Sequence, residues 1–168
     1  VRTRLDAVRT RAERVGPAYS ALLREFTGAS SADLARNERD SRTEIEAAAE
    51  DLAAAVDALR GRGPDVALTH TAAARAHLTV AEERIDAVTD RLALLREVRS
   101  APNRKENEVR FTLRDAQMLA VSRGLAAEWG SVLDAQLERI DLIAAGLHGT
   151  HPDYWAYVTG LDAVRTFV

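Results

Sequence analysis

The sequence has no cysteine. Disulfide bridges, zinc–thiolate sites and cysteine nucleophiles are therefore excluded, though the compartment is left open. Aromatic residues make up only 5% of the chain, so its core must be built mostly from Ala, Leu and Val. Such side chains favour close helix–helix contacts over a sheet core. Lysine is almost absent: Lys105 is the one lysine among 23 basic residues. With so much alanine, this composition points to a bacterium with a GC-rich genome. No apolar run approaches the ~18–20 residues that span a bilayer, and no signal peptide is visible. The net charge of −3 does not suggest bulk binding to nucleic acid or to an anionic membrane.

What is present is helical pattern. At 168 residues, 46% of them hydrophobic and 29% charged, the chain is long enough for one domain. The clearest stretch is Ala74, Leu78, Ala81, Ile85, Val88, Leu92 and Leu95, an unbroken heptad stripe with charged residues between. A helix gathers such a stripe into a narrow seam that other helices must bury. The pattern is already running at Val1, where Leu5, Val8, Ala12, Val15, Tyr19, Leu22 and Phe26 keep phase. The chain thus reads as a piece of a longer protein. Gly16-Pro17 falls inside this first helix and predicts a kink, since proline removes a backbone bond.

A second helix follows a break at Gly28 and Ser30-Ser31, with either serine able to cap it. Its seam is Ile45, Ala48, Leu52, Val56 and Leu59. Its surface is acidic where that of the first helix is basic. Each charged face fits a solvated surface; the sharper alternative sets the two helices side by side. Arg60 to Asp65, with two glycines and a proline, is the clearest loop, so the helices on either side should form an antiparallel hairpin.

Pro102 ends the third helix, and Asn103 with Glu106 resembles a capping box for the fourth. That helix should bury Val109, Leu113, Ala116 and Ala120, with Phe111, Met118 and Leu119 widening the face. Arg123-Gly124 reads as its C-terminal cap. The fifth helix carries Trp129, Val132, Gln136, Ile140, Ile143 and Leu147, and Gly130 within it suggests close approach by a neighbour. The last begins near Thr150 and Pro152, with Tyr154, Val158, Leu161 and Val164 inward. The expected fold is all-α, an antiparallel helical bundle of about six helices with coiled-coil-like packing of the first three.

Chemistry is hard to find. His70 and His77 share a helix face but lie seven residues apart, not at the i, i+4 spacing of H-E-x-x-H, and no E-x-x-H motif is present. Glu82 and Asp86 are expected on a solvent face, and His148 and His151 flank a turn. No metal or other cofactor is called for. No catalytic residue is assigned, because the carboxylates lie among arginines on polar faces.

Two segments stand out. Tyr154, Trp155 and Tyr157 cannot all face one narrow seam, so one or more is a candidate for partner contact; the alternative is that they fill a wide groove. Arg96, Arg99, Arg104, Lys105, Arg110 and Arg114 form a local basic cluster, diluted by Glu97, Glu106 and Glu108.

Phe26-Thr27-Gly28-Ala29, Asn37, Ile45-Glu46-Ala47-Ala48 and the run from Val80 to Val88 resemble the Ala-rich helical region of actinobacterial TPM-domain proteins, over residues 20–98. That resemblance implies an accessory helical segment of a larger, envelope-associated protein, with no catalytic residues to transfer. The TPM domain itself is an α/β module, which nothing in this chain matches.

The reading that results is a non-enzymatic helical scaffold or protein–protein interaction module, binding a protein partner or itself. One alternative is an enzyme or small-ligand binder with a pocket inside the bundle, near His70 and His77. The other is an adaptor on nucleic acid or anionic lipid through the basic cluster. A cytoplasmic location is favoured, with membrane tethering through a region outside this chain as the alternative.

Overall fold

A computed structural model describes residues 1–61, 63–148 and 152–168. Among these residues the chain forms seven α-helices and three short 3-10 turns, with no strand. The helices are α1 (Arg2–Ala12), α2 (Val15–Glu25), α3 (Asn37–Arg60), α4 (Pro64–Ser100), α5 (Pro102–Ser122), α6 (Ala126–Ala145) and α7 (Tyr154–Phe167). The all-α bundle expected from sequence is the architecture found.

Contacts divide the chain into two compact units. The first holds residues 1–24 and 31–92, the second residues 25–30 and 93–168. Helix α4 contributes to each.

In the first unit, the α4 stripe from Ala74 to Leu92 is buried throughout. α1 packs against α3. α3 and α4 form the expected antiparallel hairpin, marked by three polar contacts one heptad apart. Asn37 donates to the Arg84 carbonyl at 3.0 Å, His77 Nδ1 meets Glu44 at 2.6 Å, and His70 Nδ1 meets Asp51 at 2.7 Å. Residue numbers rise along α3 as they fall along α4, which is the signature of antiparallel helices. Two of the α1 arginines, Arg4 and Arg11, turn to α4. Arg4 grips Glu82 with two hydrogen bonds of 3.1 and 2.6 Å, and Arg11 pairs with Asp86. Glu82 and Asp86 therefore bind α1 rather than facing solvent alone. The paired arginines hold the Glu82 carboxyl below its ordinary range, the Arg4 hydrogen bond being the main cause.

Several local expectations shift. The first helix does not merely kink at Pro17. It divides at Glu13 and Arg14, because Pro17 has no N–H for the Glu13 carbonyl and its ring would crowd that group. Pro17 instead occupies the first turn of α2. Neither serine caps α3: Ser31 precedes a 3-10 turn and makes no capping bond, and its buried hydroxyl has no partner among the described residues. The α3 stripe runs through Asn37, Ser41, Ile45, Ala48 and Ala55, leaving Val56 and Leu59 exposed.

In the second unit, α5 and α6 form another antiparallel hairpin, again with contacts a heptad apart: Gln117 to Asp134 at 3.0 Å and Arg110 to Asp141. Gly124 closes it with φ of 72°, a left-handed conformation that suits glycine, while Leu125 N–H donates to the Ala120 carbonyl at 2.8 Å. α7 packs on both α5 and α6. Its inward face is Tyr157, Val158, Leu161 and Val164, set on Val109, Leu113 and Ile140.

The starts of these helices also differ from expectation. Pro102 begins α5 as its first residue, where the missing N–H costs nothing, and Asn103 makes no cap. α7 is capped by Asp153, which accepts from Trp155 N–H at 3.0 Å and Ala156 N–H at 2.9 Å. Thr150 and His151 lie outside the described residues. Gly130 has open space where a Cβ would stand; the close approach occurs at Gly160, whose Cβ would meet Ile143 Cδ1 at 2.9 Å.

Candidate functional site

The aromatic segment at the start of α7 is largely packing. At positions 154, 157, 158, 161 and 164 the helix turns one face to the second unit's core, so Tyr157 is buried. Its hydroxyl donates to the Pro102 carbonyl at 2.7 Å. Desolvation, assisted by Glu106, pushes the phenol up to about 12. Tyr154 is half-buried, with its ring edge-on to Phe26 at 6.1 Å between centroids. Trp155 is half-buried against the same core. Tyr157 is thereby withdrawn from any partner surface, and the segment fills a wide groove.

The basic cluster is drawn into ion pairs. Arg96 and Arg99 both bind Glu25, and Arg99 also lies 4.9 Å over the Phe26 ring. Those hydrogen bonds, Arg96 first, hold the Glu25 carboxyl down to about 2. Arg104 faces Glu97 and Glu108, Lys105 binds Asp162 at 2.8 Å, and Arg110 binds Glu106 at 2.8 Å. Of the six cations, Arg114 alone has no ion pair among the described residues. A phosphate backbone needs cations that are not already matched by carboxylates, and this surface offers few.

His70 and His77 are brought together with carboxylates, as the pocket alternative requires. Asp51 reaches both rings, at 2.7 Å to His70 and 3.7 Å to His77. The contacts are part-exposed rungs between α3 and α4. No group of three or more such side chains among the described residues has metal-binding geometry. His148 is exposed in a 3-10 turn.

An apolar surface lies where α5 turns into α6. There a trough of about 330 Å³ has Ala116, Ala120 and Leu133 as its floor. Leu119, Leu125, Trp129, Phe167 and Val168 also line it. Arg123 is the one charged side chain in its lining. Leu119 is 55% exposed and Trp129 43% exposed, although both belong to apolar stripes that read as core. Phe111 and Met118 on α5 are more exposed still. The sequence placed all of these inward because it shows only that a helix has an apolar face, not whether something covers it.

No helix among the described residues is long and apolar enough to cross a membrane. Comparison of the chain with protein-family models, with curated proteins and with solved structures finds no match in any of the three.

Proposed function

We propose that the chain is a non-enzymatic helical scaffold and protein–protein interaction module of a bacterial protein. The observation that carries this is the apolar trough at the α5–α6 turn, with Leu119, Leu125 and Trp129 exposed around a small-residue floor. Exposed apolar groups gathered in one concavity, with an aromatic at its wall, are characteristic of partner surfaces. The resemblance of residues 20–98 to a helical region of actinobacterial TPM-domain proteins supports an accessory role in a larger, envelope-associated protein. The test is photo-crosslinking in cells from a reactive residue placed at position 129. A crosslinked protein, whether the same chain or another, is expected; a chain that yields none overturns the reading.

A second reading is favoured by the size of the trough, which is near the lower end for small-molecule sites. A small apolar anion would place its hydrocarbon on Trp129 and its charge at Arg123. Displacement of a fluorescent apolar probe by such an anion, abolished in Trp129→Ala, would favour this reading over the first.

A further inference from the structure

His70 differs from the other described histidines in having one ring nitrogen held by a carboxylate and the other open. Its Nδ1 lies 2.7 Å from Asp51 Oδ1. A carboxylate only accepts hydrogen bonds, so the ring carries its proton on Nδ1. In the neutral ring the lone pair then lies on Nε2, which has no partner among the described residues. The side chain is 37% exposed. The residues one turn away on α4 are Val66, Ala67, Ala73 and Ala74, none of them charged.

The neighbouring ring is placed differently. His77 has a carboxylate at both nitrogens, Glu44 at 2.6 Å from Nδ1 and Asp51 at 3.7 Å from Nε2. An anionic electrophile approaching His77 meets negative charge on either side. At His70 the half-buried Asp51 lies across the ring from Nε2, so the open nitrogen faces no such barrier. His148 is exposed, but no carboxylate among the described residues orients its ring.

We infer that His70 is a phosphoryl-accepting histidine, with Nε2 as the nucleophile and Asp51 as its positioning residue. This goes beyond the interaction-module reading and does not depend on it. Histidine is one of the side chains that form covalent intermediates when a neighbouring group fixes the attacking atom. Nε2 attacks phosphorus, and the N–P bond forms as the bond to the leaving group breaks. The leaving group departs with that electron pair, while Nδ1 keeps its proton. The ring becomes positive in this step, and Asp51 offsets the charge as a carboxylate does for an imidazolium it orients. A phosphoryl group on imidazole is readily passed on, so the donor must be of comparable energy, an acyl phosphate or an N-phosphoryl group. Acceptance is stoichiometric and asks no turnover of the chain.

The test is incubation of the 168-residue chain with phosphoramidate at neutral pH, read by peptide mapping and phosphorus NMR. The phosphoryl group is expected on His70 ahead of the other three histidines, and as the Nε2 isomer. Asp51→Asn lets an amide N–H donate to Nδ1, which takes the lone pair off Nε2 and slows labelling of His70 about tenfold. His148 in the same sample keeps its rate and serves as the internal standard. Asp51→Glu restores a carboxylate and with it most of the rate and the Nε2 isomer. Circular dichroism checks folding; should Asp51→Asn fail to fold, the order of labelling and the isomer in the wild type decide. A His70 labelled no faster than His148, or labelled on Nδ1, overturns the inference, as does a folded Asp51→Asn chain with unchanged rate and isomer.

Discussion

Glu44 on α3 holds the His77 ring of α4 at 2.6 Å, and Asp51 holds His70 at 2.7 Å one heptad further along. The carboxylates and rings are each part-exposed. Their coupling should therefore be modest. A double-mutant cycle of Glu44→Ala and His77→Ala, read from urea midpoints, is expected to give about 0.5–1 kcal/mol. A coupling of zero would mean that the rung is only a consequence of the packing.

Gly130 and Gly160 sit in helices of the same unit but should respond oppositely to alanine. At Gly130 a new Cβ enters open space, and relief of glycine's helix penalty should stabilise the unit by about 1 kcal/mol. At Gly160 it would stand 2.9 Å from Ile143 Cδ1 and 3.1 Å from Cγ1, and a β-branched neighbour yields poorly. Overpacking there should exceed the helix gain and destabilise by about 1 kcal/mol. Thermal unfolding of the two variants distinguishes the signs.

Tyr157→Phe leaves the Pro102 carbonyl without its 2.7 Å donor. A loss of about 1–2 kcal/mol is expected at neutral pH. The same substitution should remove an alkaline sensitivity. Because the folded phenol is raised to about 12, its neutral form is the one the fold favours. Its contribution is whole below the ordinary value of 10.0 and falls away as pH rises through about 12. Stability of the wild type should decline across that window more steeply than that of the variant.

Glu25→Gln should act at the acid end. The folded carboxyl is depressed from 4.5 to about 2 by Arg96 and Arg99, so the unfolded chain binds more protons between those values. Its contribution is present above pH 4.5 and is lost as pH falls through about 2. Denaturant midpoints should show the variant less stable than wild type at pH 6, with the difference closing towards pH 2. A difference that is constant with pH would assign the loss to packing rather than to charge.

The α4 stripe was legible from sequence because every position from Ala74 to Leu95 is enclosed, so apolar character and burial coincide. α5 and α6 have stripes as regular, yet Leu119, Trp129 and Val132 are exposed. Periodicity identifies the face, while coverage depends on what packs against it. The shared face of His70 and His77 was visible in their spacing. Glu44 and Asp51 became their partners only through the hairpin register, which the loop sets and a spacing rule does not. The α7 aromatics stood out in sequence, but the breadth of the groove they fill is a property of three helices together.

Of the eight aromatic side chains, Tyr19 alone belongs to the first unit; both tryptophans and the remaining five lie in the second. The protein thus carries its own optical labels on one side of the division. Indole emission follows the melting of the second unit, while far-ultraviolet ellipticity sums helices from both. Superimposed curves from the two signals would mean that the units lose structure as a single cooperative body, and displaced curves that each melts on its own.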